Sequence, residues 1–250
     1  MEANKIIITG AATRMGAAIA KKLSGPNVEI VIHYNKSKVS AEKLQKELKK
    51  NKTKVWLIKG DLSKENDLKK IINFAKSKLK YFDCLINNAS LFENDNLKNF
   101  TSKSWNNHLD VNLKAPAYLT KEFAKNIKGK NNNIINIIDQ RVFKLTPYFT
   151  SYTLSKTGLY TLTKTSAMSL APNIRVNGIA PGPTIKNKRQ SDKHFKKQYL
   201  ATPLKQQVDV IEICNAVDFF IKNSSITGQV LAIDSGQNLN WQTPDVIGKE

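Results

Sequence analysis

The sequence predicts a three-layer αβα fold built on a doubly wound sheet of seven parallel strands. Apolar, β-rich runs alternate along the chain with amphipathic stretches of helical period. Strands such as Ile6-Ile7-Ile8 and Ile134-Ile135-Asn136-Ile137-Ile138 are nearly continuous in apolar residues, as strands are when crossover helices cover both faces. A length of 250 residues suits one three-layer unit better than two smaller ones. Strand–helix alternation with right-handed crossovers then gives the parallel sheet.

The elements follow in order. Lys5–Thr9 is a first strand and Arg14–Ser24 a first helix. Val28–His33 is a second strand, followed by a helix over about 39–50. Lys54–Ile58 is a third strand, with a helix over about 64–79. Phe82–Ile86 is a fourth strand. A long helical stretch over 101–128 leads to a fifth, Asn133–Ile138. Ser151–Leu170 is a helix and Ile174–Gly178 a sixth strand. Val208–Ile221 is a helix and Gln229–Ile233 the seventh strand. No repeat or linker interrupts the pattern, so the expectation is a single domain over 1–250. The segment 181–204 shows no clear element, and a loop of that length in a compact domain is usually functional. A substrate lid around 183–204 is therefore expected.

Composition narrows the class. No run of 18 or more apolar residues occurs, so no membrane-spanning helix is expected, and the start of the chain does not read as a signal peptide. Cys84 and Cys214 are far apart in apolar segments, which suits small core thiols in a reducing, cytoplasmic compartment. The formal net charge of +20 could mark a nucleic-acid or acidic-membrane partner. However, only Arg14, Arg141, Arg175 and Arg189 among the 40 basic residues are arginine, and nucleic-acid readers favour its planar fork. The lysines are spread over helix faces and loops, so the charge reads as a lysine-biased composition, with no nucleic-acid or membrane partner expected.

The first strand runs into Thr9-Gly10-Ala11-Ala12-Thr13-Arg14-Met15-Gly16. A glycine-containing turn into a helix offers backbone N–H groups and a positive helix end to a pyrophosphate. Gly10 allows the tight turn and Gly16 close packing of helix on strand. In this position the motif identifies a Rossmann-type dinucleotide fold. Domains that bind NAD place a carboxylate at the end of the second strand for the ribose 2′-hydroxyl. This chain has His33-Tyr34-Asn35-Lys36-Ser37 there instead. A cation, a hydroxyl and an imidazole are placed to bind a 2′-phosphate, so the expected cofactor is NADPH. Asp61, with Leu62, is placed to meet the adenine, and Asn87-Asn88-Ala89-Ser90 lies at the carboxyl edge where ligands bind in such sheets.

Tyr152 and Lys156 are four apart on a predicted helix and share a face. An ammonium beside a phenol lowers its pKa and lets it act as a general acid. Taken with Thr9-Gly10…Gly16, Asp61, Asn87-Asn88-Ala89, Asn112, Asn177 and Pro181-Gly182, the chain resembles the short-chain dehydrogenase/reductase family from end to end. The resemblance implies that Tyr152 is the proton donor, that Lys156 holds the nicotinamide ribose, that Asn112 supports a proton-relay water, and that Pro181 and Gly182 border the cofactor.

One position departs from that family. Thirteen residues before Tyr152, where the family usually has serine, stands Asp139. An ionised aspartate would repel a developing alkoxide, but it can help deliver a proton to a ring nitrogen. In this, in Arg14, in the His-Tyr-x-Lys-Ser run and in Leu91-Phe92, the chain is similar to the pteridine reductases. That likeness implies Arg14 near the cofactor phosphates and pterin, and Phe92 stacking the pterin on nicotinamide. It implies a pocket formed by Arg14, Ser90, Phe92, Asp139 and Tyr152. The expected reaction is reduction of a pterin imine. Two alternatives stay open: reduction of a ketone on an acyl thioester or sugar, and a non-catalytic basic binding protein. The family implies a homotetramer assembled through the helices near 101–128 and 151–170.

Overall fold

The computed structural model describes residues 4–187 and 189–241. Seven strands form one sheet: β1 Lys5–Ile8, β2 Glu29–Tyr34, β3 Lys54–Lys59, β4 Cys84–Asn87, β5 Asn132–Ile137, β6 Ile174–Pro181 and β7 Val230–Ile233. Their order is β3-β2-β1-β4-β5-β6-β7, and every pairing is parallel. The chain therefore winds outward from β1 in one direction and from β4 in the other. The carboxyl ends of these two neighbours border the crevice where such sheets bind ligands.

Helices cover both faces: α1 Arg14–Lys22, α2 Lys38–Lys50, α3 Glu65–Leu79, α4 Ser102–Leu109, α5 Ala115–Ala124, α6 Thr150–Leu170, α7 Asp192–Leu200 and α8 Val210–Lys222. The two-residue period of a strand sorts the core. Ile6 and Ile8 pack with Ile19, Leu44, Leu48, Ile213, Val217 and Phe220, so α1, α2 and α8 lie on that face. Ile7 faces the other way, with Leu68, Ile71, Leu79, Leu119, Phe123 and Ala167 of α3, α5 and α6. Burial of these aliphatic side chains, at roughly 25 cal/mol per Å² of apolar surface, is the main force holding the layers together.

The elements depart from expectation in three places. β6 runs on to Pro181 rather than ending at Gly178, because each residue through Pro181 pairs with β7. The helical stretch over 101–128 is divided by a π-helical turn at Asp110–Lys114, a feature common at functional positions. The segment expected to lack structure contains α7, which Ser191 caps by accepting from the His194 amide. Lys188, inside the expected lid, lies outside the described residues. Among the described residues no helix is long and apolar enough to cross a membrane. Cys84 and Cys214 are both buried and free.

Candidate active site at the carboxyl edge of the sheet

The end of β1 and the loop after β4 are joined by Thr9 and Asn88. The Thr9 hydroxyl accepts from the amides of Asn88 and Ala89, both at 3.0 Å. Asn88 Nδ2 donates back to the carbonyls of Thr9 at 2.9 Å and Gly10 at 3.1 Å. These bonds bring the two loops so close that a Cβ on Gly10, whose φ is +61°, would stand 2.8 Å from Ala89 Cα. A Cβ on Gly16 would meet the Gly10 carbonyl at 2.6 Å. Thr13, at the N-cap of α1, makes no side-chain cap, so the first-turn amides of Arg14, Met15 and Gly16 have no intrahelical acceptor. A cradle that a Cβ would fill and an uncapped helix end fit a dinucleotide pyrophosphate. Thr13 and Arg14 are exposed, while Met15 leans on the core.

The structure divides the residues at the end of β2 between two jobs. Asn35, Lys36 and Ser37 are exposed. With Lys59, Gly60, Asp61, Lys64, Asp67 and Lys70, Asn35 lines a half-open cavity of about 380 Å³. Burial acts upward on the Asp61 carboxyl, but two Ser63 hydrogen bonds and the charges of Lys64 and Lys36 outweigh it and hold the pKa low.

His33, expected as a phosphate ligand, is 2 % exposed. Its Nδ1 accepts from the Gly10 amide at 3.1 Å. That leaves Nε2 to donate to the Gly60 carbonyl at 3.0 Å. Burial lowers its pKa, so the ring is a neutral brace for the glycine turn. Two other expectations are corrected in the same way. The Tyr34 side chain packs on Ala12 and Ala41. Leu62 belongs to the core, so only its backbone is left to face a ligand. Lys59, Lys64 and Lys70 were not singled out from sequence, since nothing distinguishes them there from other surface lysines.

At the far end, α6 brings Tyr152 and Lys156 under the end of β5. The Tyr152 hydroxyl donates to Asp139 Oδ2 at 2.6 Å, and Asp139 Oδ1 accepts from the Arg141 amide at 2.9 Å. Lys156 is 1 % exposed and donates to the Ile137 carbonyl at 2.8 Å. Burial lowers its pKa to about 8, opposed by the charge of Asp139. The phenol departs from expectation. Its pKa is raised, first by burial and then by the Asp139 charge and hydrogen bond, against Arg141 and the Ser90 hydroxyl. The Lys156 Nζ stands 5.9 Å from the centre of the Tyr152 ring, and Asp139 is the charge that decides. Asn112, on the π turn, accepts from the Leu91 amide at 2.8 Å and donates to the Leu91 carbonyl at 2.9 Å and to Ser155 Oγ at 3.0 Å. It therefore ties the loop after β4 to the helix carrying Tyr152.

Phe92 forms a wall beside this cluster, edge-on to Tyr152 with centroids 4.6 Å apart. Phe149 stacks on Phe92 at 4.5 Å and 11°. The Arg141 guanidinium lies 4.6 Å over the Phe149 ring, and Arg189, which donates to the Phe92 carbonyl, lies 6.0 Å from the Phe92 ring. Arg14 reaches across to the Ile185 carbonyl at 2.8 Å, joining the glycine turn to the segment after β6. Three of the four arginines thus border the site. The fourth, Arg175, donates to the carbonyls of Phe220, Ile221 and Ile226 inside the fold. Pro181 ends β6, and the Gly182 amide donates to Ile233 at 2.9 Å. Among the described residues no group of three or more His, Cys, Asp or Glu could hold a metal.

The chain is similar to known proteins over nearly its whole length. The family model for short chain dehydrogenase matches residues 4–197. A solved structure of FolM alternative dihydrofolate reductase 1 from Brucella canis, complexed with NADP, superposes with a TM-score of 0.93 at 39% identity, covering 98% of both chains. The corresponding structure from Brucella suis gives 0.92 at 38%, covering 97% of this chain and 98% of that one. The chain is also 34% identical over 236 residues to the 3-oxoacyl-(acyl-carrier-protein) reductase FabG of Buchnera aphidicola subsp. Baizongia pistaciae, across 92% of this chain and 95% of the relative.

Proposed function

Since the chain belongs to the short-chain dehydrogenase family, we propose that it is an NADPH-dependent reductase whose acceptor is the imine of a pterin ring. The observation that carries the reading is the 2.6 Å bond from the Tyr152 hydroxyl to Asp139. A serine there would donate to a ketone oxygen and to the alkoxide it becomes. A carboxylate is an acceptor that an alkoxide avoids, but it can take the Tyr152 proton, relay it to a ring nitrogen and then accept from the N–H so formed. The NADP-bound FolM structures support the same acceptor class.

NADPH, when bound, supplies the hydride to the imine carbon. The chain's own residues manage the proton. Tyr152, kept protonated by burial and by Asp139, is the reservoir. The Tyr152 proton crosses the Asp139 carboxylate to the adjacent ring nitrogen, which leaves Tyr152 as phenolate and Asp139 ionised as before, and Lys156 offsets the phenolate charge. Phe92 and Ser90 wall the acceptor, and Arg14 spans from the pyrophosphate cradle toward the lid segment 183–204. The preference for NADPH over NADH rests on the exposed Lys36 and on the absence of a carboxylate at the end of β2. On α6, Met168 is 74% exposed and Leu154 48%, apolar surface that suits assembly through this helix.

The FabG relative supports a second reading, a 3-oxoacyl thioester as substrate. Oxidation of NADPH followed with dihydrobiopterin, dihydrofolate and an acetoacetyl thioester separates the two. Turnover of a dihydropterin is the expected result, and turnover of the thioester alone overturns the proposal.

A further inference from the structure

The helix that carries Tyr152 begins without a cap of its own. Phe149, at its N-cap, is left-handed (φ 62°, ψ 44°) and offers no side-chain acceptor. The missing acceptors come from a distant residue, Asp95, in the loop after β4. Its carbonyl accepts from the Phe149 amide at 2.6 Å. Its Oδ1 accepts from the Ser151 amide at 3.1 Å, and its Oδ2 from the Ser151 hydroxyl. Asp95 is 3 % exposed.

His108 of α4, with no exposed surface, closes the circuit. Its Nε2 is 3.1 Å from the Glu93 amide and its Nδ1 is 2.6 Å from Ser151 Oγ. A backbone amide can only donate, so Nε2 is bare and Nδ1 carries the proton. Hydrogen bonds therefore run from Glu93 through His108 and Ser151 to Asp95 and return to the same loop. Phe92, which touches Tyr152, immediately precedes Glu93. We infer that His108 and Asp95 are positioning residues that fasten the Phe92 wall to the first turn of the Tyr152 helix, and that the fastening needs a neutral His108.

A second proton on His108 would remove the acceptor for the Glu93 amide and leave a cation in a buried place. Burial lowers the pKa of this imidazole. Asp95 and Glu93 on the loop raise it, Arg189 on the segment after β6 lowers it, and a backbone bond to Ser104 on α4 raises it. The Tyr152 ring packs against it at 5.9 Å.

The kinetic part of the test rests on the pterin reading, whereas the spectroscopic part does not. Nitrogen-15 spectra of the whole protein near pH 7.5 should show His108 protonated at Nδ1 only. Hydrogen-exchange protection at Glu93 should fall as pH drops through the His108 titration. His108→Gln keeps a donor and an acceptor and does not titrate, so it should retain protection at low pH. His108→Leu and Ser151→Ala break the circuit. Each should raise KM for dihydrobiopterin about tenfold, the size of one hydrogen bond, with the Kd for NADPH within about twofold. Ser151→Ala serves if the leucine variant does not fold. Protonation at Nε2, or the same pH-dependent protection at Glu93 in wild type and His108→Gln, overturns the inference. The expected spectra without any dihydropterin turnover sink the pterin reading and leave the positioning role standing.

Discussion

The Tyr152 hydroxyl and the Asp139 carboxylate form one hydrogen-bonded pair, and the charge of Asp139, not that of Lys156, is the main electrostatic influence on the phenol. Asp139→Ser should therefore supply a donor for a carbonyl oxygen and remove the carboxylate that, on the proposed function, relays a proton to a ring nitrogen. The kcat/KM for dihydrobiopterin should fall by about 10²-fold, as when a proton-transfer group is lost, and the ratio of acetoacetyl thioester to dihydrobiopterin turnover should rise. An unchanged ratio would place the choice of acceptor elsewhere in the pocket.

Burial lowers Lys156 to about 8 from an ordinary 10.5. Below pH 8 the folded and unfolded chains both carry this proton, and the fold bears the cost of burying the charge. Between pH 8 and 10 the folded lysine loses it first, the unfolded chain binds more protons, and stability rises with pH. The gain should approach about 1.4 kcal/mol per pH unit at most. Above pH 10 the raised Tyr152 acts in the opposite sense. Urea unfolding from pH 7 to 10 should show the rise in wild type and a flatter profile in Lys156→Met.

Lys36→Glu puts a carboxylate where the 2′-phosphate is expected. Loss of a charge-assisted bond weakens NADPH by about 10- to 100-fold, with a far smaller effect on NADH. Titration of each cofactor by its fluorescence reads the difference, and equal losses would displace Lys36 from the phosphate.

His33 braces two backbone groups, so His33→Phe should act on the fold before it acts on cofactor choice. Leaving the Gly10 amide and the Gly60 carbonyl unpartnered costs about 2–4 kcal/mol, read as a lower urea midpoint. The NADPH-to-NADH affinity ratio should stay near that of wild type. A changed ratio at unchanged stability would return His33 to the phosphate.

The sheet was legible in the sequence because strands covered on both faces must be apolar throughout, and Ile6-Ile7-Ile8 and Ile134–Ile138 advertise that directly. The meeting of Tyr152 with Asp139 was expected only through the family resemblance, which sets a hydrogen-bonding residue thirteen positions before the tyrosine. α7 was not legible, since Phe195 is its one buried side chain and lysines surround it. The job of His33 was hidden as well. A histidine at the end of a strand looks the same whether it meets a phosphate or two backbone groups, and only the approach of Gly10 and Gly60 decides. The Asp95–Ser151–His108 circuit joins positions 43 and 56 residues apart, and no local pattern announces such a meeting.

The stack of Phe149 on Phe92 takes up one of the two faces of the Phe92 ring. On the proposed function a pterin meets this ring on its other face or in place of Phe149. Either way a planar guest finds an aromatic partner, while a guest with no ring gains no contact of that kind.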